Sequence, residues 1–257
     1  MLLHVVADYG IGDLAFAEVH QHLARRLPEA AVQAVSVPPF DTVSAGFCVA
    51  QLALSDGPSD RVVYVNVAPR QDVDAPREGN AGEGLAAVRL ESGVLVVGVA
   101  SGASLAFLAA EGAALRAVRV PAHGSQFRSR DVFPDAVAAL ARGDDELLGE
   151  PLVSGPAPHR CVVYTDGYGN VKTSWHKPPA GPGTRVRVRI GEAAVEAVVT
   201  DGVFTVPAGE VAFAPGSSGW PTAGGQRLFF EVFARGTSAA ALFGLPPAGT
   251  PVEVEPV

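Results

Sequence analysis

The chain opens on an apolar run, Leu2 to Val6, that ends at a glycine-rich turn, DYGIGD, over residues 8–13. The stretch that follows, LAFAEVHQHLARRL, places Leu14, Phe16, Val19, Leu23 and Leu27 at helical spacing. It predicts a helix capped by Asp13 and stopped by Pro28. A second strand is predicted over 31–37, a second helix over 42–54 behind Asp41, and a third strand over 61–67. That third segment, RVVYVNV, is apolar at nearly every position, the pattern of a strand buried on both faces. After a polar loop, APRQDVDAPREGNAGEG, strands are predicted near 86–90, 93–99 and 115–120, and helices near 103–111 and 131–142. Such alternation implies a mainly parallel sheet with helices on both faces.

From residue 143 the pattern changes. GDDELLGEPLVSGPAPHR reads as a linker, and helical periodicity nearly vanishes beyond it. TRVRVRI (184–190) alternates arginine with apolar residues, the mark of a half-exposed strand. Further short strands at 193–200, 203–206 and 226–233, punctuated by Gly and Pro, predict a small β-barrel or sandwich. The expected fold is therefore α/β: an N-terminal, mainly parallel α/β sandwich domain over 1–148, a linker over 149–159, and a smaller, all-β, barrel-like domain over 160–257.

Composition narrows the function classes. Of 257 residues, 48% are hydrophobic and 18% charged, which supports a sizeable core. The net charge of −8 and the lack of any Lys/Arg cluster longer than a pair argue against nucleic-acid binding. The long uncharged run that includes 93–110 is divided by glycines and serines and does not read as a membrane span. The N-terminus has no basic region before Asp8, so no signal peptide is expected and a cytoplasmic location is. Cys48 and Cys161 are expected as buried thiols rather than a disulfide. No His/Cys/Asp set has metal-ligand spacing, and no G-x-S-x-G or G-x-x-x-x-G-K-[ST] occurs, so no metal is expected.

Some residues stand where chemistry is commonly done. Asp8 ends the first strand, and in an open parallel sheet that edge binds ligands. A carboxylate there can accept both hydroxyls of a ribose, or it can simply satisfy turn amides. Gly10, Gly12 and Ala15 fit the spacing of a dinucleotide fingerprint, but that motif needs an acid ending the second strand, which here reads VSVPPF. In YTDGYGN (164–170), Asp166 and Asn170 flank a glycine-rich turn that is either structural or ligand-presenting. Phe40 is core or a pocket aromatic, and Arg235 is a surface charge or an anion contact.

Taken in order, ADYGIGD (7–13), VSVPPFD (35–41), QFRSRDVF (126–133), TDGYGN (165–170) and EVFARGTSAA (231–240) resemble the recurring blocks of one family. It is the S-adenosylmethionine-dependent fluorinase, chlorinase and hydroxide adenosyltransferase (SAM hydrolase) group, and the resemblance spans nearly the whole chain. It implies an α/β domain followed by a β domain, and a homotrimer whose substrate lies between the N-terminal domain of one subunit and the C-terminal domain of the next. It implies no cofactor: S-adenosylmethionine is the substrate or ligand, and a nucleophile attacks the ribose 5′ carbon while methionine leaves. By the same resemblance Asp8 binds the ribose, Phe40 lies in the nucleoside pocket, and Asp166 and Asn170 bind the methionine moiety. Arg235 and Thr237 line the adenine and amino-acid end.

The chain also departs from that family. The hydrolase branch resembles a triad design of aspartate, arginine and histidine, in D-P-G-V-G and F-H-G-R-D stretches. Here Ala68 stands at the aspartate position and Arg128 at the histidine position, while Arg77 matches the arginine only across a short insertion. The family's P-D-N-G block reads VASG at 99–102. Asp72 or Asp74 could replace the lost carboxylate, and Ser129 keeps the serine with which the halogenase branch can donate to a halide or oxyanion. Arg128 either faces the pocket and holds an anion or points outward, and Arg130 and Asp131 are expected to be structural. The implied activity is SAM hydrolysis to adenosine and methionine, with Arg77, Arg128 and Ser129 as the catalytic candidates. The alternatives are a protein that binds S-adenosylmethionine or adenosine without turnover, and a halogenase.

Overall fold

In the computed structural model, which describes residues 1–69, 74–121 and 124–257, the opening apolar run forms strand β1 (Leu2–Ala7) and the turn after it delivers the chain into α1 (Leu14–Arg26). The Asp13 side chain accepts from the Ala15 amide and so caps α1. The chain continues through β2 (Ala31–Ser36), α2 (Thr42–Leu54) and β3 (Val62–Asn66), with Asp41 accepting from the Val43 and Ser44 amides at the start of α2. Next come β4 (Leu85–Arg89), β5 (Leu95–Val99), α3 (Ala106–Ala110), β6 (Arg116–Val118), α4 (Arg128–Asp131), α5 (Phe133–Ala141) and β7 (Leu148–Pro151). All of these lie in the first of two units, Met1–Ala157 and Pro158–Val257.

The first sheet runs β2-β1-β3-β5-β4-β6-β7. Its β2, β1, β3 and β5 strands are parallel, whereas β4, β6 and β7 pair antiparallel. The expected parallel character thus holds for one side of the sheet. The other side departs because β4 and β5 are joined by a tight turn at Leu90–Gly93, and a short connection can only reverse the chain. Gly93 adopts φ 92° in that turn, a conformation open to glycine. Strand β5 is buried along its whole length, and Leu3, Leu23, Leu27, Val97, Val137 and Leu140 pack one core between sheet and helices. The helix predicted over 131–142 is broken at Val132 into α4 and α5, with Pro134 in the first turn of α5. The expected linker, 149–159, starts inside β7, which pairs with β6 and belongs to this sheet.

The second unit is built from β8 (Val162–Thr165), β9 (Val171–Thr173), β10 (Arg185–Ile190), β11 (Ala193–Val199), β12 (Val211–Thr222), β13 (Gly225–Ala234), the one-turn helix α6 (Ala239–Leu242) and β14 (Val252–Pro256). The order is β14-β10-β11-β12-β13-β9-β8, and the two end strands approach each other. Cys161 bridges to Pro251, Val162 donates to the Thr250 carbonyl at 2.9 Å and Val252 to the Arg160 carbonyl at 2.7 Å. The sheet therefore curls until its edges meet, the barrel-like solution to exposed strand edges. In β10, Val186, Val188 and Ile190 are buried while the arginines between them are exposed, as the alternation requires. The strand expected at 203–206 is instead a 3-10 turn between Gly202 and Pro207.

One polar pair is buried in this unit, on the sheet face opposite the core residues Val171, Phe230 and Val232. Lys172 and Glu231 are cross-strand partners, and Lys172 Nζ donates to Glu231 Oε1 at 2.7 Å. Glu231 is only 1% exposed. Gly216 leaves room for it, since a Cβ there would stand 1.8 Å from Oε1. Removing one partner strands a charge in the interior, which costs far more than the pair itself contributes. We expect Lys172→Met to lower stability by about 3–5 kcal/mol in urea unfolding. Lys172→Met combined with Glu231→Met is expected to recover most of that loss.

Candidate functional site

The order β2-β1-β3 means that the connections on the two sides of β1 run in opposite directions, so a crevice opens at the carboxyl ends of β1 and β3. A cleft of about 420 Å³ lies there, in the size range of small-molecule sites. Asp8 from the end of β1, Phe40 from the loop after β2 and Asn66 from the end of β3 line it, together with Arg77, Arg128 and Ser129. Five sequence-nominated residues, Asp8, Phe40, Arg77, Arg128 and Ser129, thus meet in one place. Ala68 also lines the cleft and brings no carboxylate.

Asp8 and Phe40 are coupled through the backbone. The Phe40 amide donates to Asp8 Oδ2 at 2.9 Å. Phe40 adopts φ 63°, which a bulky residue rarely does, and the residue is 57% exposed. It is not core. The strained backbone holds an aromatic side chain out at the cleft without a packing explanation, which makes Phe40 a candidate ligand contact.

The cleft floor holds a polar network that sequence reasoning missed. Asn66 Nδ2 donates to Tyr9 Oη at 2.8 Å, and Tyr9 Oη lies 2.6 Å from Ser129 Oγ. The buried Tyr64 hydroxyl donates to the Ser129 carbonyl at 3.2 Å. The Tyr9 ring is held edge-on by Phe16 and Phe127, at centroid distances of 5.1 and 6.0 Å. Burial pushes the Tyr9 phenol up to about 12, and the nearby Asp8 charge adds to this. One signal was available in the sequence: Asn66 is the polar break at the carboxyl end of an otherwise apolar strand.

Arg128 faces the cleft rather than solvent, but it is not free. It donates from one terminal nitrogen to the Glu83 carbonyl at 2.9 Å and from the other to the Pro121 carbonyl at 2.8 Å. Its guanidinium stacks 4.8 Å from the Phe133 ring centroid, and its Nε is buried without a hydrogen-bond partner among the described residues. Burial pushes its pKa down, the Glu83 carboxylate opposes this and Arg77 adds to it. The neighbouring Arg130 forms a two-point ion pair with Asp131, at 2.7 and 2.9 Å, and reaches Glu18 of α1 at 3.3 Å. Ser125 also donates to Asp131. Arg130 and Asp131 therefore fix α4 rather than face a ligand.

In the second unit, Asp166 Oδ1 accepts from the Tyr168 and Asn170 amides at 2.9 and 3.0 Å, and its Oδ2 accepts from Asn170 Nδ2 at 3.0 Å. Its carboxylate shapes its own turn. That turn packs on the other nominated block, since Ala240 donates to the Gly169 carbonyl at 2.8 Å. Arg235 donates to the Val206 carbonyl at 2.7 Å, and Thr237 is exposed. Asp74 is exposed, and Asp72 lies outside the described residues. Among the described residues no three His, Cys, Asp or Glu side chains gather as a metal site, and no helix is long and apolar enough to cross a membrane. Cys48 and Cys161 are both free thiols, Cys161 buried and Cys48 half-buried.

No family model matches the chain. No curated protein matches it either. Among solved structures it is similar to an uncharacterized conserved protein from Thermotoga maritima, with a TM-score of 0.74 at 22% identity over 98% of this chain and 99% of that one. It is also similar to a conserved hypothetical protein from Thermus thermophilus, with a TM-score of 0.64 at 25% identity over 99% of both chains. These are likenesses of fold across both units.

Hydrogen bonds from Arg130 first and then Ser125 hold the Asp131 carboxyl down at about 2. A carboxyl lowered on folding adds stability above its unfolded pKa of about 4, and that stability is lost as pH falls toward the folded value. Stability is therefore expected to drop between about pH 4 and pH 2. In Asp131→Asn that limb should flatten in pH-dependent thermal unfolding.

Proposed function

We propose that the cleft holds the adenosine part of S-adenosylmethionine and that the protein transfers the adenosyl group to water or hydroxide, releasing adenosine and methionine. The observation that carries this reading is the convergence of Asp8, Phe40, Arg77, Arg128 and Ser129 on one cleft at the strand-order reversal. Asp8 Oδ2 is engaged by the Phe40 amide, and Oδ1 is the acceptor for the ribose hydroxyls. The exposed Phe40 ring is a stacking surface for the nucleoside.

The step is a displacement at carbon. An oxygen lone pair forms the new bond to C5′ of the ribose as the C5′–S bond breaks, and its electron pair returns to sulfur. The sulfonium becomes a neutral thioether, so the leaving group needs no proton, and attacking water gives its proton up to solvent. With Ala68 and Arg128 at the positions of the family's aspartate and histidine, this chain relies on alignment and on stripping water from the nucleophile. The homotrimer implied by the family resemblance is part of this reading, and sedimentation measures it. A second reading, binding without turnover, is favoured by one observation: Arg128 is committed to the Glu83 and Pro121 carbonyls.

Incubation with S-adenosylmethionine, with and without chloride, followed by chromatography for adenosine, separates these readings. Adenosine above a heat-killed control is expected. Calorimetric binding without product selects the second reading, a chlorinated nucleoside shows halogenase chemistry, and neither heat nor product overturns all of them. Asp8→Ala is expected to weaken nucleoside binding by about 10- to 100-fold, the worth of a charged hydrogen bond or two. Phe40→Gly should weaken binding while leaving thermal stability equal or slightly higher, because glycine relieves the positive φ.

A further inference from the structure

We propose that Asn66 and Tyr9 form a one-way hydrogen-bond relay that aims the hydroxyl hydrogen of Ser129 into the cleft, which makes both side chains positioning residues for the acceptor group held there. The reaction this serves rests on the proposed function; the relay itself rests on the geometry alone.

The direction follows from the inventory of donors and acceptors. The Asn66 amide nitrogen carries only hydrogens, so it donates to Tyr9 Oη, 2.8 Å away. Tyr9 has a single hydroxyl hydrogen and an oxygen already accepting from Asn66. We assign its hydrogen to Ser129 Oγ, at 2.6 Å, because a hydroxyl that accepts on one side and donates on the other makes the cooperative chain. Ser129 Oγ then accepts from Tyr9 and has its own hydrogen left to give. Ser129 is 5% exposed and lines the cleft, so that hydrogen is directed to whatever the cleft contains.

The parts are held rigidly enough for direction to matter. Phe16 and Phe127 clamp the Tyr9 ring edge-on. The Tyr64 hydroxyl ties down the Ser129 carbonyl, and the first turn of α4 closes through the Val132 amide and the Arg128 carbonyl at 2.9 Å. A donor fixed before the ligand arrives holds its acceptor in line without first having to reorient. A phenol pushed up by burial keeps its proton at neutral pH, so the relay does not reverse there. Two consequences follow for ligand chemistry. Ser129 offers a hydrogen to a lone pair on an oxyanion or other acceptor. It is not itself a nucleophile, because neither Tyr9 nor Asn66 can take its proton.

Neutron diffraction from deuterated crystals tests the direction without any ligand. Deuterium on Tyr9 Oη pointing at Ser129 Oγ, with the Ser129 deuterium turned into the cleft, is the expected result. A Ser129 deuterium pointing at Tyr9 Oη overturns the relay. A second arm uses adenosine release from S-adenosylmethionine by Tyr9→Phe, which keeps the clamped ring, by Asn66→Leu, by Ser129→Ala and by the Tyr9→Phe/Ser129→Ala pair. Each single change is expected to lower kcat at least about tenfold with KM within about twofold, and the pair to be no slower than Ser129→Ala alone. Additive losses, or a change in KM only, refute positioning. If the wild type releases no adenosine, the proposed reaction fails and the neutron map by itself decides the relay.

Discussion

The parallel hydrogen-bond ladders on both sides of β1 set the edge at which the cleft opens. Leu2–Ala7 pairs with Ala31–Ser36 on one side, and Leu3–Ala7 with Val62–Asn66 on the other. In parallel ladders all three strands end at the same edge, so Asp8, the loop carrying Phe40, and Asn66 emerge side by side. The connections diverge on either side of β1, which keeps the crossover helices from covering that edge. The core beneath is dense and apolar, and the polar residues gather where the ladders stop.

The charge arrangement at this edge bears directly on the proposed sulfonium ligand. Arg77 and Arg128 line the same cleft as Asp8 and Glu83. A guanidinium near a cationic ligand is repulsive unless an anion lies between them. The Arg128 donors are taken up by two backbone carbonyls, and its guanidinium stacks on Phe133. Arg128 thereby braces the segments around Glu83 and Pro121, a framework role that a histidine could not fill, lacking the fork of donors.

The second unit also turns its polar groups inward on one another. Asp166 is occupied by its own turn, with Lys172 3.9 Å away, and Lys172 is anchored by the buried Glu231. The turn that resembles a methionine-binding block is thus a rigid part of the barrel. Its backbone, with Gly169 at φ 82° against Ser238, is held independently of any ligand.

Much of this architecture was legible from local pattern. Helical spacing in α1, the caps Asp13 and Asp41, the buried run of β3 and the alternation in β10 are properties of neighbouring residues. Asp8 was legible because a strand end before a glycine turn is a local signal too. Strand β12 was not, because Pro215, Gly216 and Gly219 read as turn residues. They instead make an irregularity between Pro215 and Gly219 that pairing with β13 tolerates. Strand β7 passed for a linker because its partner, β6, supplies what its sequence lacks. Tyr9, Asn66 and Ser129 lie far apart in the chain, and no local spacing relates them. Periodicity and turn chemistry were enough to set most elements, their order and the acid at the strand end, since each depends on adjacent residues. Which polar groups meet was settled by packing, because a hydrogen bond depends on position in space: the β1–β3 ladder sets Tyr9 near Asn66, and the packing of α4 brings Ser129 to them.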